Sequence, residues 1–417
     1  MKATGSWLLI PLQQANFRRL ATGRLLMYFA NAMAPVVLAF TVLDLAHSPA
    51  ALGLVVGARS IANVVLLLFG GVLADRFGYR LAIQGSALAA CALQGAIAIC
   101  AHLDLLSIPL LVVLSVANGA VSAVSLPTSA ALTPQTVPTA ELRPANAVMR
   151  MGINLGLILG ASLGGVVVAW AGPGWALSGN AITFLGASIC FSRLTLPARA
   201  RQGGKGANPW QDLRDGWAEF IARSWVWVVV LQYTLVNAAV AGGIQVLGPL
   251  VADADFGRSL WGLVLAAQTL GALIGGVIAA RSRMRRALFF GVAVTAVNAV
   301  PLAVLAGEPH IVLLFIAMFL NGMAIEQFGV AWELTLQENI PEDKLARVYS
   351  YDALGSFLAL PMGEIGAGFA TEHFGIRPSL FIMAALVLVA TAMAVTNHEI
   401  RALTVKSQPA PSPSLTN

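Results

Sequence analysis

A helix needs about 20 consecutive apolar residues to span a hydrocarbon core. The chain contains twelve such runs, separated by short polar breaks. They fall at about 20–45, 50–74, 81–102, 108–133, 144–169 and 174–195, and again at about 226–251, 260–280, 287–306, 310–335, 346–370 and 376–397. The breaks carry Pro, Gly, Asp and Arg, the residues of helix-to-helix turns. A bilayer offers no water to open backbone groups, so each run is predicted as a helix. The first run, from Leu20, is longer than the apolar core of a signal peptide and is expected to be a span.

Residues 196–225 interrupt the pattern. Pro197, Arg199, Arg201, Gly203, Gly204, Lys205 and Gly206 form a polar stretch, after which Trp210, Leu213, Trp217 and Phe220 recur at helical spacing among charges. That predicts an amphipathic helix on the membrane surface. The expected organisation is a six-helix bundle over 1–195, a cytoplasmic linker over 196–225 and a second six-helix bundle over 226–398. A disordered tail follows over 399–417, where Pro409, Pro411 and Pro413 sit among serines.

The two halves repeat one another. Gly71-Val72-Leu73-Ala74-Asp75-Arg76-Phe77-Gly78-Tyr79-Arg80 follows the second run, and a weaker copy from Gly276 to Arg285 follows the eighth. Asn118-Gly119 returns as Asn321-Gly322, Pro138 and Leu142 as Pro341 and Leu345, Gly160 and Gly165 as Gly363 and Gly368, all at one offset of 203 residues. A constant offset in apolar sequence indicates duplication. The expected fold is an all-α membrane protein, with twelve transmembrane helices in two six-helix bundles related by a pseudo-twofold axis.

Composition agrees. Of 417 residues, 58% are apolar and 11% charged, against about 25% charged in a soluble domain; mean hydropathy is +0.79. Lipid must therefore solvate most side chains. Nearly all Lys and Arg fall at the termini, in even-numbered loops or near their helix ends; the exceptions are Arg258 and Arg377 in outer loops and Arg59 inside a span. By the positive-inside rule both termini are expected in the cytoplasm of a cell that carries the protein in its inner membrane. The basic cluster Arg281, Arg283, Arg285, Arg286 lies between two spans, so no nucleic-acid partner is expected. Cys91, Cys100 and Cys190 have no metal-ligand spacing, and the five His residues (47, 102, 310, 373, 398) sit in loops or at helix ends. No cofactor, metal or enzymatic site is expected, nor direct ATP drive, since Gly203-Gly204-Lys205 lacks the phosphate-loop pattern.

The first charged loop has a physical rationale. Gly71 lets helices approach, Gly78 permits a tight turn, Asp75 can accept from helix N-terminal amides, and Arg76 and Arg80 face an anionic leaflet. Here the chain resembles the major facilitator superfamily, whose loop between helices two and three reads Gly-x-x-x-Asp-Arg-x-Gly-Arg-Arg; Tyr79 replaces one arginine and, in the second copy, Ala280 replaces the Asp. The resemblance implies a one-sided cytoplasmic latch at Gly71, Asp75, Arg76, Gly78 and Arg80. Gly156, Gly160, Gly164 and Gly165 resemble the Gly-rich element of that superfamily's antiporters, with Ala161 in place of Pro, and are expected to pack helix five against helix eight. Asn16 to Leu20, Ser48 to Gly53, Val137-Pro138 with Ala145 to Ala147, and Ser350 to Ser356 are similar to the siderophore and macrolide exporter branch. The resemblance implies export of small amphipathic molecules by alternating access, coupled to protons, in a monomer. An uptake permease shares every motif, and a non-transporting membrane sensor is the remaining alternative.

Charges inside spans are costly and mark paths or partners. Glu326, mid-way along helix ten, is the candidate for proton exchange or substrate contact, with Glu333 nearer the mouth and Asn31 on helix one as a further candidate; Asp352 is read as structural. Arg59 and Glu364 lie nine and seven residues from the outer ends of their runs near Ala50 and Thr371. Similar depth on helices two and eleven predicts an ion pair across the halves that closes the outer gate.

Overall fold

Apolar sequence closed off from water makes its backbone hydrogen bonds within one segment. A computed structural model describes residues 10–77, 79–138, 141–195, 217, 220–281, 285–307 and 310–404. In the first half the long helices are α1 (Ala15–Ala46), α2 (Pro49–Phe77), α3 (Tyr79–His102), α4 (Ile108–Leu132), α5 (Leu142–Ala171) and α6 (Pro173–Ser192). In the second they are α7 (Ser224–Asp255), α8 (Arg258–Arg281), α9 (Ala287–Ala306), α10 (Ile311–Asn339), α11 (Glu342–Phe374) and α12 (Ile376–Thr396). Among the described residues, eleven helical segments are long and apolar enough to cross a bilayer, and α4 adds a shorter apolar stretch over Ile108–Val124. The protein is thus all-α, two bundles of six. Chain entry and exit share one face, called the terminal face below; the opposite one is the distal face.

The duplication is visible in the packing. Within the halves, α1 packs on α5, α2 on α4 and α3 on α6, while α7 packs on α11, α8 on α10 and α9 on α12. Between the halves, α5 meets α8 and α11 meets α2. Exchanging the halves maps each set of contacts onto the other, which is the pseudo-twofold relation. The repeated glycines carry it. A Cβ added at Gly165 of α5 would stand 2.6 Å from Arg258 O of α8; one at Gly368 of α11 would stand 2.7 Å from Pro49 O of α2. Gly160 likewise abuts Phe29 of α1, and its repeat Gly363 abuts Ala238 of α7. Two further glycines, Gly172 (φ 83°) and Gly375 (φ 84°), join α5 to α6 and α11 to α12 in a left-handed conformation that favours glycine.

Three irregularities gather near the interface. Pro35 lies inside α1 and Pro361 inside α11, and α7 widens into a π-helical stretch over Ala241–Leu247. Such wide turns often sit at functional sites. Most of the predicted linker helix lies outside the described residues. At its end Trp217 stacks on Phe220 with ring centroids 5.6 Å apart, and both pack against Tyr351 of α11. The tail from residue 405 is also outside the described residues.

Candidate functional site: a charged cleft between the halves

The charges within the spans divide by half. Away from helix ends, the first half carries Arg24, Arg59 and Arg150, and the second carries Glu326, Glu333, Asp352 and Glu364. A cation in lipid and an anion in lipid are each costly. Two of each sign meet between the halves, Arg59 and Glu364 across one cavity and Arg150 and Glu326 in an ion pair, where they offset one another.

At the centre of the cleft, Arg59 and Glu364 face a single cavity of about 180 Å³. The first half contributes Pro35 and Leu38 from α1 and Val56, Ser60, Asn63 and Val64 beside Arg59 from α2. The second contributes Gln245 from the π-helical stretch and Phe357 and Leu360 beside Glu364 from α11. Glu364 is 2% exposed, and its Oε2 has no hydrogen-bond partner; Ser60 lines the same cavity.

The expected direct ion pair is not formed here. The ion pairs among the described residues are Arg150–Glu326, Arg258–Asp44 and Arg258–Asp253. Helices α2 and α11 touch on the distal side of this cavity, where Gly53 abuts the backbone of Glu364 and Gly368 and Gly57 abuts Ile365. Beside these contacts lies a cavity where a bridge was expected.

The direct distal tie is instead Arg258, at the start of α8. It donates through both terminal nitrogens to Asp44 of α1, with Nη1 2.9 Å from Oδ2, and through Nε to Asp253 of α7 at 2.6 Å. Its guanidinium also lies 5.0 Å from the centroid of the buried Phe40 ring. This two-point fork suits arginine alone. Ser48 adds a 3.3 Å hydrogen bond to Glu372 across the same face. The sequence signal for Arg258 was its violation of the positive-inside pattern.

Toward the terminal face, Glu326 is paired across the halves with Arg150 of α5 at 3.0 Å. The arginine is 75% exposed and the carboxylate 28%, so the pair opens on solvent rather than core. Glu326 also sits against Gly276 of α8. Arg150 had been counted among charges near helix ends; only the folded chain brings it to Glu326. Arg24, also missed, is buried on α1 and donates to Thr133 Oγ1 at 3.1 Å.

The other predicted residues take different places. Asn31 donates to Met27 O in its own helix at 2.9 Å. Glu333 is exposed on α10, and Asp352 accepts from Trp332 Nε1 at 3.0 Å. Of the four glycines expected to pack α5 on α8, Gly165 faces α8, whereas Gly156, Gly160 and Gly164 abut α1 within their own half. Their four-residue spacing keeps those three on one helix face, and Gly165 lies about 100° further round. The contact with α8 is completed by Ala161 and Ser162, which Gly262 approaches. In the expected latch loop, Arg80 donates to Ser192 O at 2.6 Å, tying α3 to α6. Gly78 and the side chains of Gly71, Asp75 and Arg76 lie outside the described residues, although 71–77 continue the α2 helix.

Comparison with known proteins agrees with this architecture. The chain is 26% identical over 364 residues to an uncharacterized MFS-type transporter of Sinorhizobium fredii, covering 83% of this chain and 86% of that one. It is 28% identical over 282 residues to the enterobactin exporter of Salmonella typhimurium, covering 65% of this chain and 66% of the exporter. Its fold superposes with a TM-score of 0.72, at 15% identity, on a bacterial homologue of the human lysosomal transporter Spinster, covering 94% of this chain and 97% of that one. The Major Facilitator Superfamily model matches residues 20–363. With twelve helices in two related bundles around a polar cleft, the chain belongs to the major facilitator superfamily.

Proposed function

We propose that this chain is a proton-coupled exporter of small amphipathic organic molecules, working as a monomer by alternating access in the inner membrane. The carrying observation is the cavity of Arg59 and Glu364, which both halves build and neither completes. The similarity to an enterobactin exporter supports the outward direction. The distribution of Lys and Arg supports a cytoplasmic terminal face. On that orientation the Arg258 fork holds the outer face shut, and the conformation is inward-facing.

Glu326 is the proposed coupling group. While ionised it holds Arg150 across the cleft. Protonation removes that attraction and frees the two halves to rock. Glu333 serves as a charge at the inner mouth and Asn31 as a polar contact beside the path. Gly71, Asp75, Arg76, Gly78 and Arg80 form the proposed inner latch of the opposite state. Arg59 and Glu364 act across the outer part of the cleft, drawn together by Coulomb attraction rather than by a permanent bridge.

The test is flux in proteoliposomes under an imposed pH gradient, with wild type and Glu326→Gln compared on a fluorescent amphipathic substrate. Gradient-driven flux is expected to disappear in the variant while substrate exchange persists. Unchanged gradient-driven flux would remove Glu326 from coupling. Accumulation by inverted vesicles is expected for export, and accumulation by right-side-out vesicles alone would make the chain an uptake permease.

A further inference from the structure

We infer that the Arg59–Glu364 cavity is a binding site for a small zwitterion, a molecule with one carboxylate, one ammonium and an apolar body of leucine's size. The inference rests on the transporter reading for its consequence, but the site itself follows from the cavity.

A guanidinium and a carboxyl group face the same cavity from opposite halves. Arg59 has no ion pair within 4 Å among the described residues, and Glu364 presents a buried Oε2 without a hydrogen-bond partner. Glu364 is buried and Arg59 partly so, and they face each other across the cavity without a bridging contact, which leaves room for groups of opposite sign between them. A zwitterion supplies both at once. Its carboxylate would take the Arg59 guanidinium, whose planar fork matches carboxylate geometry. Its ammonium would take Glu364, with Ser60 in the same cavity lining. A singly charged ligand satisfies one wall and leaves the other charge buried; a neutral one satisfies neither.

Size and lining point the same way. The volume of about 180 Å³ is well below a typical drug-sized pocket of about 300–1,000 Å³. Leu38, Val56, Phe357 and Leu360 supply an apolar wall for the body of the ligand. The two charges lie on different halves, so the bound molecule bridges them. Such a ligand binds most tightly when the halves are closed around it, and it weakens the direct attraction between Arg59 and Glu364. It also carries no net charge, so its passage would do no work against the membrane potential.

The experiment is equilibrium dialysis of radiolabelled L-leucine against the detergent-purified full chain, without any gradient. Leucine methyl ester and N-acetyl-leucine serve as matched competitors carrying one charge each. Leucine is expected to bind, and each competitor to displace it at least tenfold less well than unlabelled leucine, the usual worth of one charge-assisted contact. Arg59→Gln and Glu364→Gln are expected to weaken leucine binding by about tenfold or more, with melting curves confirming folded protein. If either variant fails to fold, the competitor series on wild type still decides. Absence of leucine binding, or equal displacement by all three molecules, overturns the inference. Loss of leucine binding alongside intact flux of an amphipathic substrate would sink the zwitterion site and leave the transporter standing. Leucine binding without counterflow in proteoliposomes would keep the site and remove transport.

Discussion

One position in the duplicated fold has been solved differently in the two halves. Gly119 on α4 presses on the backbone of Arg59 in α2, and Gly322 on α10 presses on the backbone of Gln268 in α8, so Arg59 and Gln268 are structural counterparts. Around Gln268 the polar groups close into a chain. Gln268 donates to Asn321 at 2.6 Å, Asn321 to Asn298 at 2.7 Å, and Asn298 to Thr295 O at 2.7 Å. Around Arg59 the same frame holds Gln94, Ser115 and Asn118, which share a small pocket with it. There Gln94 Oε1 and Ser115 Oγ are buried without partners. One half has a satisfied network that fixes α8, α9 and α10 together. The other has a cation with acceptors left over, placed where the second half's carboxylate can reach it. Closed networks rigidify, and incomplete ones mark the place where something must bind or move. The symmetry of the scaffold is broken at the proposed site.

That contrast can be attacked in steps. The largest effect is expected from the shared frame itself. Gly119→Leu and Gly322→Leu would each drive a side chain into a neighbouring backbone, and both should abolish monodisperse protein on size exclusion, since neither backbone can give way cheaply. Placing the first half's cation in the second half's network comes next: Gln268→Arg should cost about 3 kcal/mol in thermal or denaturant unfolding, the scale of an uncompensated buried charge. Asn321→Ala strands both Gln268 and Asn298 and should cost about 2 kcal/mol, whereas Asn118→Ala should cost about 0.5 kcal/mol, because no comparable chain runs through it. Equal losses for the two Asn variants would erase the contrast. The smallest change in stability is expected from Arg59→Gln, which makes the halves alike: unfolding should move by less than about 0.5 kcal/mol, and upward. Its flux should nevertheless be lost. A strongly destabilised Arg59→Gln would recast this arginine as a structural group.

The sequence made the architecture legible because lipid imposes one rule on every span, and because Gly160, Gly165, Gly363 and Gly368 recur at a fixed offset that the fold uses twice. The site was legible only in part. Glu326, Arg59 and Glu364 announced themselves as charges in apolar runs. Their partners did not. Asp44 lies near a helix end, where charges are ordinary, and nothing in its own half marks Arg150; what pairs each of them is a helix from the other half. Equal depth from the helix ends placed Arg59 and Glu364 at one level but carried no information on the side-chain separation, and so could not separate a bridge from a cavity. The glycines of α5 show the same limit: their spacing specified a close-packed face, and the choice between α1 and α8 as neighbour depended on rotation about the helix axis.

The central claim is that the two halves must part at the distal face for the protein to work. Ser48 on the connection into α2 and Glu372 on α11 are hydrogen-bonded across that face at 3.3 Å. With Cys91, Cys100 and Cys190 replaced by Ser, a Ser48→Cys, Glu372→Cys pair can be joined by a short cleavable bifunctional thiol reagent in proteoliposomes and substrate flux followed. Cross-linking is expected to stop flux in proportion to the fraction joined, and cleavage of the link to restore it. Full flux through completely cross-linked protein would contradict the account.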